Sequence, residues 1–443
     1  MVLAAQPSTL TLPRAVEQAL RQYPAVRVSQ ELVSSVGAGI RLARTAYLPR
    51  VDVLAQLNRA TRNNVYGMLL PQSVIPAISG PPLPVNSPTN VWGSAVGFLV
   101  SWEPFDFGFR RANLDSASLA RRRAETAVER TKLEVATSTI DGFLTLLAAQ
   151  QTRAAAQAGV RRAAVFHEVV SALVKAELRP GADAARSRAE SALAETQRIR
   201  SDEAVAVARA ELGLLLGAAA GEVLVEAGPL LELPRETPAP GAKVDSHPLI
   251  EEQQAEIEQV RAQQRALDRS WFPRFQVQTA SYARGTGANP DFTTGGGAAG
   301  LGPNVHNWGL GMSVSFPVLE LAALRARKER EIYRERAETA RLELARRELD
   351  SRLEKARAVL ESARLVARNT PVQLEAARAA EQQANARYRA GLGNLLEVAE
   401  AQRLLTLTEI DDSLARLHVW RAMLAVAAAT GDVDGFLKAV GGN

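Results

Sequence analysis

Four short stretches of this chain alternate apolar with small or polar residues at a period of two, the pattern of a strand with one apolar face. Val51, Val53, Ala55 and Leu57 alternate with Asp52, Leu54, Gln56 and Asn58. Trp92, Val96, Phe98, Val100 and Trp102 share a second apolar face, with Gly93, Ala95, Gly97 and Ser101 on the other side. Phe275, Val277, Thr279 and Ser281 alternate with Gln276, Gln278, Ala280 and Tyr282. The cleanest run sets Trp308, Leu310, Met312, Val314 and Phe316 against Gly309, Gly311, Ser313 and Ser315. Strands are therefore expected over about 50–60, 91–103, 274–284 and 307–317.

Elsewhere the period lengthens. Leu133, Ala136, Ile140, Phe143 and Leu147 step by threes and fours, as do Leu349, Leu353, Ala356, Leu360 and Ala363, which are coiled-coil seams. No proline lies between Pro104 and Pro180, room for a proline-free helix of roughly 100 Å at 1.5 Å per residue. A second long helix is expected after Pro317, turning near Gly391-Leu392-Gly393. Return helices run through Val205, Ala208, Leu212 and Leu215 to Gly217, and to about Thr430. Shorter helices are expected from Thr11-Leu12-Pro13, over about Pro24 to Ala46 and over about Pro248 to Ser270. A loop with Pro71, Pro76, Pro81, Pro82, Pro84 and Pro88 joins the first two strands, and a glycine-rich loop from Gly285 to His306 joins the last two.

This plan occurs twice. Tyr23-Pro24-Ala25-Val26 returns as His247-Pro248-Leu249-Ile250, and Leu48-Pro49-Arg50-Val51 as Phe272-Pro273-Arg274-Phe275, both 224 residues later. Trp102-Glu103-Pro104-Phe105 pairs with Ser315-Phe316-Pro317-Val318 at an offset of 213. Leu178-Arg179-Pro180-Gly181-Ala182 pairs with Tyr388-Arg389-Ala390-Gly391-Leu392 at 210. Such ordered matches mark an internal duplication. The first repeat is read over 10–227, a linker over 228–246, the second repeat over 247–430 and a C-terminal tail over 431–443.

Isolated strands at the ends of rods cannot bury an apolar face as a soluble sheet does. Strands of this length and pattern suit a tilted membrane strand, with Trp92, Trp102, Trp308 and Phe316 forming an aromatic girdle at the strand ends. A bilayer accepts strands only in a closed barrel, and four strands are too few to close one. A barrel of about eight strands, from two chains, is filled by side chains, whereas about twelve, from three chains, leave a lumen. The small residues Gly309, Gly311, Ser313 and Ser315 on the inner face favour the larger one. Hairpins capping a soluble coiled coil are the competing reading of the same alternation.

Composition adds exclusions. Ala, Glu, Arg and Leu dominate long stretches of the 443 residues, as in long helices. No cysteine is present, so disulfides, thiolate zinc sites and cysteine nucleophiles are excluded. The net charge of +5 is modest, and acidic residues are interleaved with Arg121-Arg122-Arg123 and with the Arg325 to Arg330 cluster, so nucleic acid is not expected as a partner. No apolar run long enough for a transmembrane helix occurs, and the first residues lack the pattern of a signal peptide. His167, His247, His306 and His418 are dispersed, so no metal, cofactor or catalytic group is expected and the chain is read as not an enzyme.

The ordered set Leu10-Thr11-Leu12, Ala15, Ala19-Leu20, Tyr23-Pro24, Tyr47-Leu48-Pro49, Trp102-Glu103-Pro104-Phe105-Asp106-Phe107-Gly108 and Tyr388-Arg389-Ala390-Gly391 resembles the TolC-like family of outer-membrane efflux proteins, from about Leu10 to Thr430. The resemblance implies an α+β membrane protein: a homotrimer with a shared 12-stranded β-barrel in the outer membrane and a long periplasmic α-helical coiled-coil tunnel. It implies an exit duct for a tripartite efflux pump or a type I secretion system, in a Gram-negative bacterium. Its partners would be outer-membrane lipid, a periplasmic adaptor (membrane fusion protein) and an inner-membrane transporter. Many members carry a lipid anchor on an N-terminal cysteine, for which this sequence has no residue. A soluble periplasmic coiled-coil adaptor or scaffold is the alternative.

The resemblance also assigns sites. The hairpin tips, with Arg179, Pro180, Gly181 and Ala182 in the first and Gly391, Leu392 and Gly393 in the second, would dock the adaptor. Their glycines are expected to supply the positive φ of a tight reversal. Glu397 and Glu400, spaced i, i+3 on one helix face, align with acidic gate residues that are aspartates in the family's best-known member. Arg186, Arg387 and Arg389 are expected to tie closed tips together through ion pairs between hairpins.

Overall fold

The structure, a computed structural model, describes residues 9–63, 84, 86–234, 244–316 and 318–441. The expected loop prolines Pro71, Pro76, Pro81 and Pro82, together with Pro317, residues 235–243 of the linker and the last two residues, lie outside the described residues. The chain divides into a helical unit (residues up to 34, 122–255 and from 338 on) and a strand unit (35–121 and 256–337). Each unit therefore draws on both sequence repeats.

The strand unit contains β1 (Arg50–Thr61), β2 (Asn90–Phe105), β3 (Arg274–Thr286) and β4 (Val305–Ser315), in one sheet of order β1-β2-β3-β4. All neighbours are antiparallel. The middle pairing joins the two repeats: Phe98 lies opposite Ser281, and Val53 lies opposite Phe98. Because residues on facing strands share a side, the register puts the predicted apolar residues on one continuous face. Val53 is 76 % exposed and Trp308 78 %. The other face carries Asp52, Leu54, Gln56, Ala95, Gly97, Gln278, Ala280, Tyr282, Gly309 and Gly311 in matching rows. Here Gly97 is required, because a Cβ at that position would stand 2.3 Å from the Cβ of Tyr282. Tyr282 packs with Leu54, Ala95 and Leu99.

Every strand meets its helix at the same end of the sheet, since antiparallel order alternates direction. The joint after β2 is the most constrained. Asp106 accepts hydrogen bonds from the backbone N–H groups of Gly108 and Arg110 at 3.1 and 2.7 Å and from the Arg110 Nε at 2.9 Å. Arg110 also donates to the Ala46 carbonyl and lies over the Tyr47 ring. Both charged side chains are nearly buried, 9 % and 12 % exposed. Phe107, held at φ 51 in a region that non-glycine residues rarely adopt, stacks on Phe272 with ring centroids 5.2 Å apart. Phe105 and Phe275 complete the aromatic cluster.

In the helical unit, α1 (Leu12–Gln22), α3 (Phe109–Lys175), α4 (Gly181–Leu216), α7 (Leu395–Thr430) and α8 (Val433–Gly441) enclose the main core. The α3 seam is buried as its spacing requires: Ile140 and Phe143 are 0 % exposed and Leu147 is 1 %. Helices α2 (Pro24–Thr45), α5 (Pro248–Arg269) and α6 (Leu321–Arg389) complete the set. Alanines line the α6–α7 contact, Ala363 and Ala367 against Ala415 and Ala422, so the two backbones approach closely. The described part of the linker is strapped down: Trp420 Nε1 donates to the Glu232 carbonyl and Leu230 is buried.

Two expectations change, and the second long helix differs from the first in holding a proline. Pro371 lies inside α6. Its missing N–H is tolerated because Ala363, Ala367 and Thr370 are buried and the Thr370 hydroxyl donates to Asp412. Where a tail was expected, α8 places Val433, Phe436 and Val440 in the core. The fourth repeat match is displaced by one helical turn. Lys175 and Arg389 end the long helices, Gly181 and Leu395 begin the short ones, and Leu216 and Thr430 end them, each pair 214 residues apart rather than 210.

The strand–helix joint gives an acid-sensitive prediction. Burial alone would raise the Asp106 pKa, but the bonds and charge of Arg110 and the Gly108 N–H outweigh it and hold the carboxyl below the ordinary aspartate value. The pair thus stabilises the fold above that value and the contribution is lost as pH falls through the lower, folded one. Asp106→Ala should cost about 3 kcal/mol at neutral pH. That difference should shrink below about pH 4, as read by denaturant unfolding of the detergent-solubilised protein.

Candidate functional site

The two hairpin tips close in the same way but with different residues. After α3, the Leu178 N–H bonds the Leu173 carbonyl at 2.9 Å, and after α6 the Leu392 N–H bonds the Arg387 carbonyl at 2.9 Å. This is the six-residue closure of a helix ended by a left-handed residue. In the second tip that residue is Gly391, φ 78; in the first it is Glu177, φ 58. Gly181, expected to supply positive φ, instead begins α4 behind the N-cap Pro180. Gly393 serves close approach: a Cβ there would stand 3.3 Å from the Arg387 Cβ and the Tyr388 N–H nitrogen. Leu178 and Leu392, in equivalent places, are both largely exposed.

Between the hairpins lies a small apolar cluster: Phe166 and Val170 from α3, Tyr388 from α6, and Leu395 and Val398 from α7. Tyr388 is fully buried and its ring meets Phe166 edge-on, centroids 5.2 Å apart. Arg179 lies over that ring, 4.4 Å from its centroid, and donates to the Tyr388 carbonyl at 2.7 Å. The Tyr388 hydroxyl donates to Asp183 in the first turn of α4 at 3.1 Å. Burial, and then the Asp183 carboxylate, push the Tyr388 pKa up, so the phenol remains a donor at neutral pH. Further along, Arg162 of α3 donates to Glu409 and Thr406 of α7.

The predicted gate and tip residues are only partly brought together. Glu397 sits in the first turn of α7, where the Asn394 side chain accepts from its N–H at 2.9 Å. Its carboxylate is 3.7 Å from Arg387 Nε. That ion pair bridges one hairpin's own turn; within the chain, the hairpins are tied at their tips by Arg179, Asp183 and Tyr388. Glu400 lies one turn on, exposed, and like Arg186 and Arg389 it has no ion-pair partner among the described residues. Sequence reasoning missed the Tyr388–Asp183 pair. Its one visible signal was a tyrosine, among only six in the chain, in the last turn of α6.

At the sheet, Trp102 and Phe316 lie near the helix-joined end, where Trp102 donates to the Tyr47 carbonyl. Trp92 lies near the other end of β2, under Arg59. Trp308, expected at a strand end, stands opposite Ser281, in the row that crosses β2 at Phe98, well inside that strand. A denser aromatic cluster, of which the alternation marked Phe275 alone, is formed by Phe105, Phe107, Phe272 and Phe275.

An open antiparallel sheet with an apolar outer face, joined to long paired helical hairpins, defines a strand-and-tunnel membrane channel protein. The chain belongs to the outer membrane efflux protein family, whose model matches residues 15–218 and 242–432. It is accordingly an outer-membrane channel protein and not an enzyme. Among solved structures, OprN, an outer-membrane channel, is 21 % identical over 95 % of this chain and 90 % of its own, with a TM-score of 0.73. The CmeC outer membrane channel of Campylobacter jejuni matches at 14 % identity, over 95 % and 85 %, with a TM-score of 0.76. The outer membrane protein VceC of Vibrio cholerae matches at 15 %, over 95 % and 96 %, with a TM-score of 0.72. No curated protein matches the chain. Among the described residues no helix is long and apolar enough to cross a membrane.

The tip cluster predicts a graded response. Tyr388→Phe keeps the Phe166 contact and loses one hydrogen bond, a loss of about 1 kcal/mol. Tyr388→Ala also empties a buried site and should cost about 3–5 kcal/mol. Hydrogen exchange of amides in 384–398 should quicken modestly in the first variant and strongly in the second.

Proposed function

We propose that three copies of this chain form a passive exit duct of a tripartite efflux pump or type I secretion system, gated at the hairpin tips. The observation that carries the reading is the pair of unpartnered sheet edges. β1 and β4 each have one neighbour in the four-stranded sheet, and each backbone group left unmet in lipid costs several kcal/mol. Pairing β1 of one copy with β4 of the next meets both edges at once. Three copies close a 12-stranded barrel with room for a lumen, lined by Gly309, Gly311, Ser313 and Ser315. Leu193 and Leu214 on α4 and Leu365 and Val372 on α6 are largely exposed in a single chain; neighbouring copies would cover them.

Around the threefold axis, Glu397 and Glu400 form two carboxylate rings. Like charges held close resist full ionisation and attract divalent cations. Arg387 moderates Glu397, which leaves Glu400 the stronger ring. Arg186 and Arg389 are available for ion pairs between copies. The tips, Arg179 to Ala182 and Gly391 to Gly393 with exposed Leu178 and Leu392, receive a periplasmic adaptor, and energy comes from an inner-membrane transporter.

Two measurements test this reading. Light scattering of the detergent-extracted protein should give a trimer mass; a monomer in mild detergent sinks the barrel. In planar bilayers, Glu397→Gln with Glu400→Gln should raise conductance, weaken cation preference and abolish block by divalent ions. Unchanged values on all three counts would remove the gate assignment.

A further inference from the structure

We infer that Arg284 makes the barrel mouth at the loop end of the sheet an anion-attracting zone, which favours chloride over potassium and holds polyphosphate anions. The inference rests on the trimeric barrel proposed above. Arg284 stands opposite Ala95 on one side and Val305 on the other, in the row that begins at Gln56. That row shares its face with Gln278, Ala280 and Gly309, away from Phe98 and Leu310, so the side chain belongs to the lumen side. It also lies at the end of the sheet remote from the strand–helix joints, two residues before β3 ends.

Nothing nearby answers its charge. The Arg284 guanidinium has no hydrogen-bond or ion-pair partner among the described residues, and its Nε is shielded from solvent without one. The Gln56 amide in the same row is likewise shielded and unpartnered at both Nε2 and Oε1. Residues 57–97 and 281–310 contain Arg59, Arg62 and Arg284 but one carboxylate, Asp291. Arg59 is engaged by Asn90 and Trp92, and Arg62 by Thr89 and the Phe292 carbonyl. Asp291 accepts from Thr293. On the lumen face the next carboxylate is Asp52, four residues down β1 from Gln56, roughly 13 Å away at strand rise, and already held by Arg50.

Three such guanidinium groups facing one lumen form a ring of fixed positive charge, the arrangement that favours anions in pores. Low-dielectric walls focus that field on the ions passing through. Arginine keeps its charge at any working pH, so this zone does not titrate, in contrast to the carboxylate rings at the tips. One duct then carries a cation-attracting filter on its hairpins and an anion-attracting one in its barrel.

The test uses trimers in planar bilayers, on the Glu397→Gln, Glu400→Gln background so that the tip filter is silent. Reversal potentials in a potassium chloride gradient should show chloride preference, and inositol hexakisphosphate added to the loop side should block current. Arg284→Gln should lose both, with a severalfold fall in the chloride to potassium permeability ratio. Arg284→Lys should keep both. Gln56→Glu leaves Arg284 in place but sets a carboxylate in its row, and should remove the preference too, which guards against a fold defect in the first variant. Conducting trimers of Arg284→Gln and Gln56→Glu with unchanged ion preference and unchanged block would overturn the inference while leaving the duct intact. Failure of the unaltered chain to form trimers or pores would overturn the duct reading, and this inference with it.

Discussion

Backbone hydrogen bonding in lipid is the constraint on which everything else rests. A four-stranded antiparallel sheet has two rows of peptide groups facing outward from its edges, and water satisfies them in a soluble protein. The apolar face formed by Val53, Phe98, Leu310 and Met312 belongs in hydrocarbon, where water is absent. Such a sheet cannot be a finished object. In the proposed duct further copies would supply the missing edges, and that need would fix the symmetry before any side-chain contact between copies is considered. The small residues along the inner face of β4 would then matter for a second reason, because they would leave a passage in the closed ring.

The helices answer a different requirement. Long rods packed side by side bury little area per residue, so their stability depends on close backbone approach, which the alanine seam between α6 and α7 allows. Specific polar ties then fix which rods are neighbours: Arg162 to Glu409, Arg421 to Asp141, and the Arg179–Tyr388–Asp183 set at the tips. The Asp106–Arg110 pair has the corresponding role where strand gives way to helix. It satisfies the Gly108 and Arg110 N–H groups at the start of α3 and holds the end of α2 through the Ala46 carbonyl.

Much of this was legible from period alone. Strand parity, the α3 seam and the starts of α2 and α5 at Pro24 and Pro248 follow from local rules that the tertiary structure does not oppose. Pro371 reads as a helix breaker, yet buried neighbours on both sides keep α6 continuous. The misses are places where the tertiary structure opposes such rules. The second tip was matched to the first by the likeness of Arg179-Pro180-Gly181 to Arg389-Ala390-Gly391, whereas the backbone equates Glu177 with Gly391. A left-handed position was assumed to need glycine, and here a glutamate occupies one of the two. Trp308 was placed by its position in its own strand, but its depth depends on the stagger of neighbouring strands, which a single sequence does not show. The Tyr388–Asp183 contact joins residues 205 apart, and no local signal reports such a distance.

The unequal tips decide how many moving parts a threefold duct would have. Duplication alone would arrange six nearly identical hairpins around the axis, each free to bend by itself. Because Tyr388 of one hairpin is buried against Phe166 of the other and bonded to Asp183 beyond it, the two hairpins of a chain are clasped as a single lever. The aperture of such a duct would then be an iris of three blades and not six. Its narrow and wide states would differ by the swing of three levers, each moving whole, so intermediate diameters would correspond to whole numbers of displaced chains.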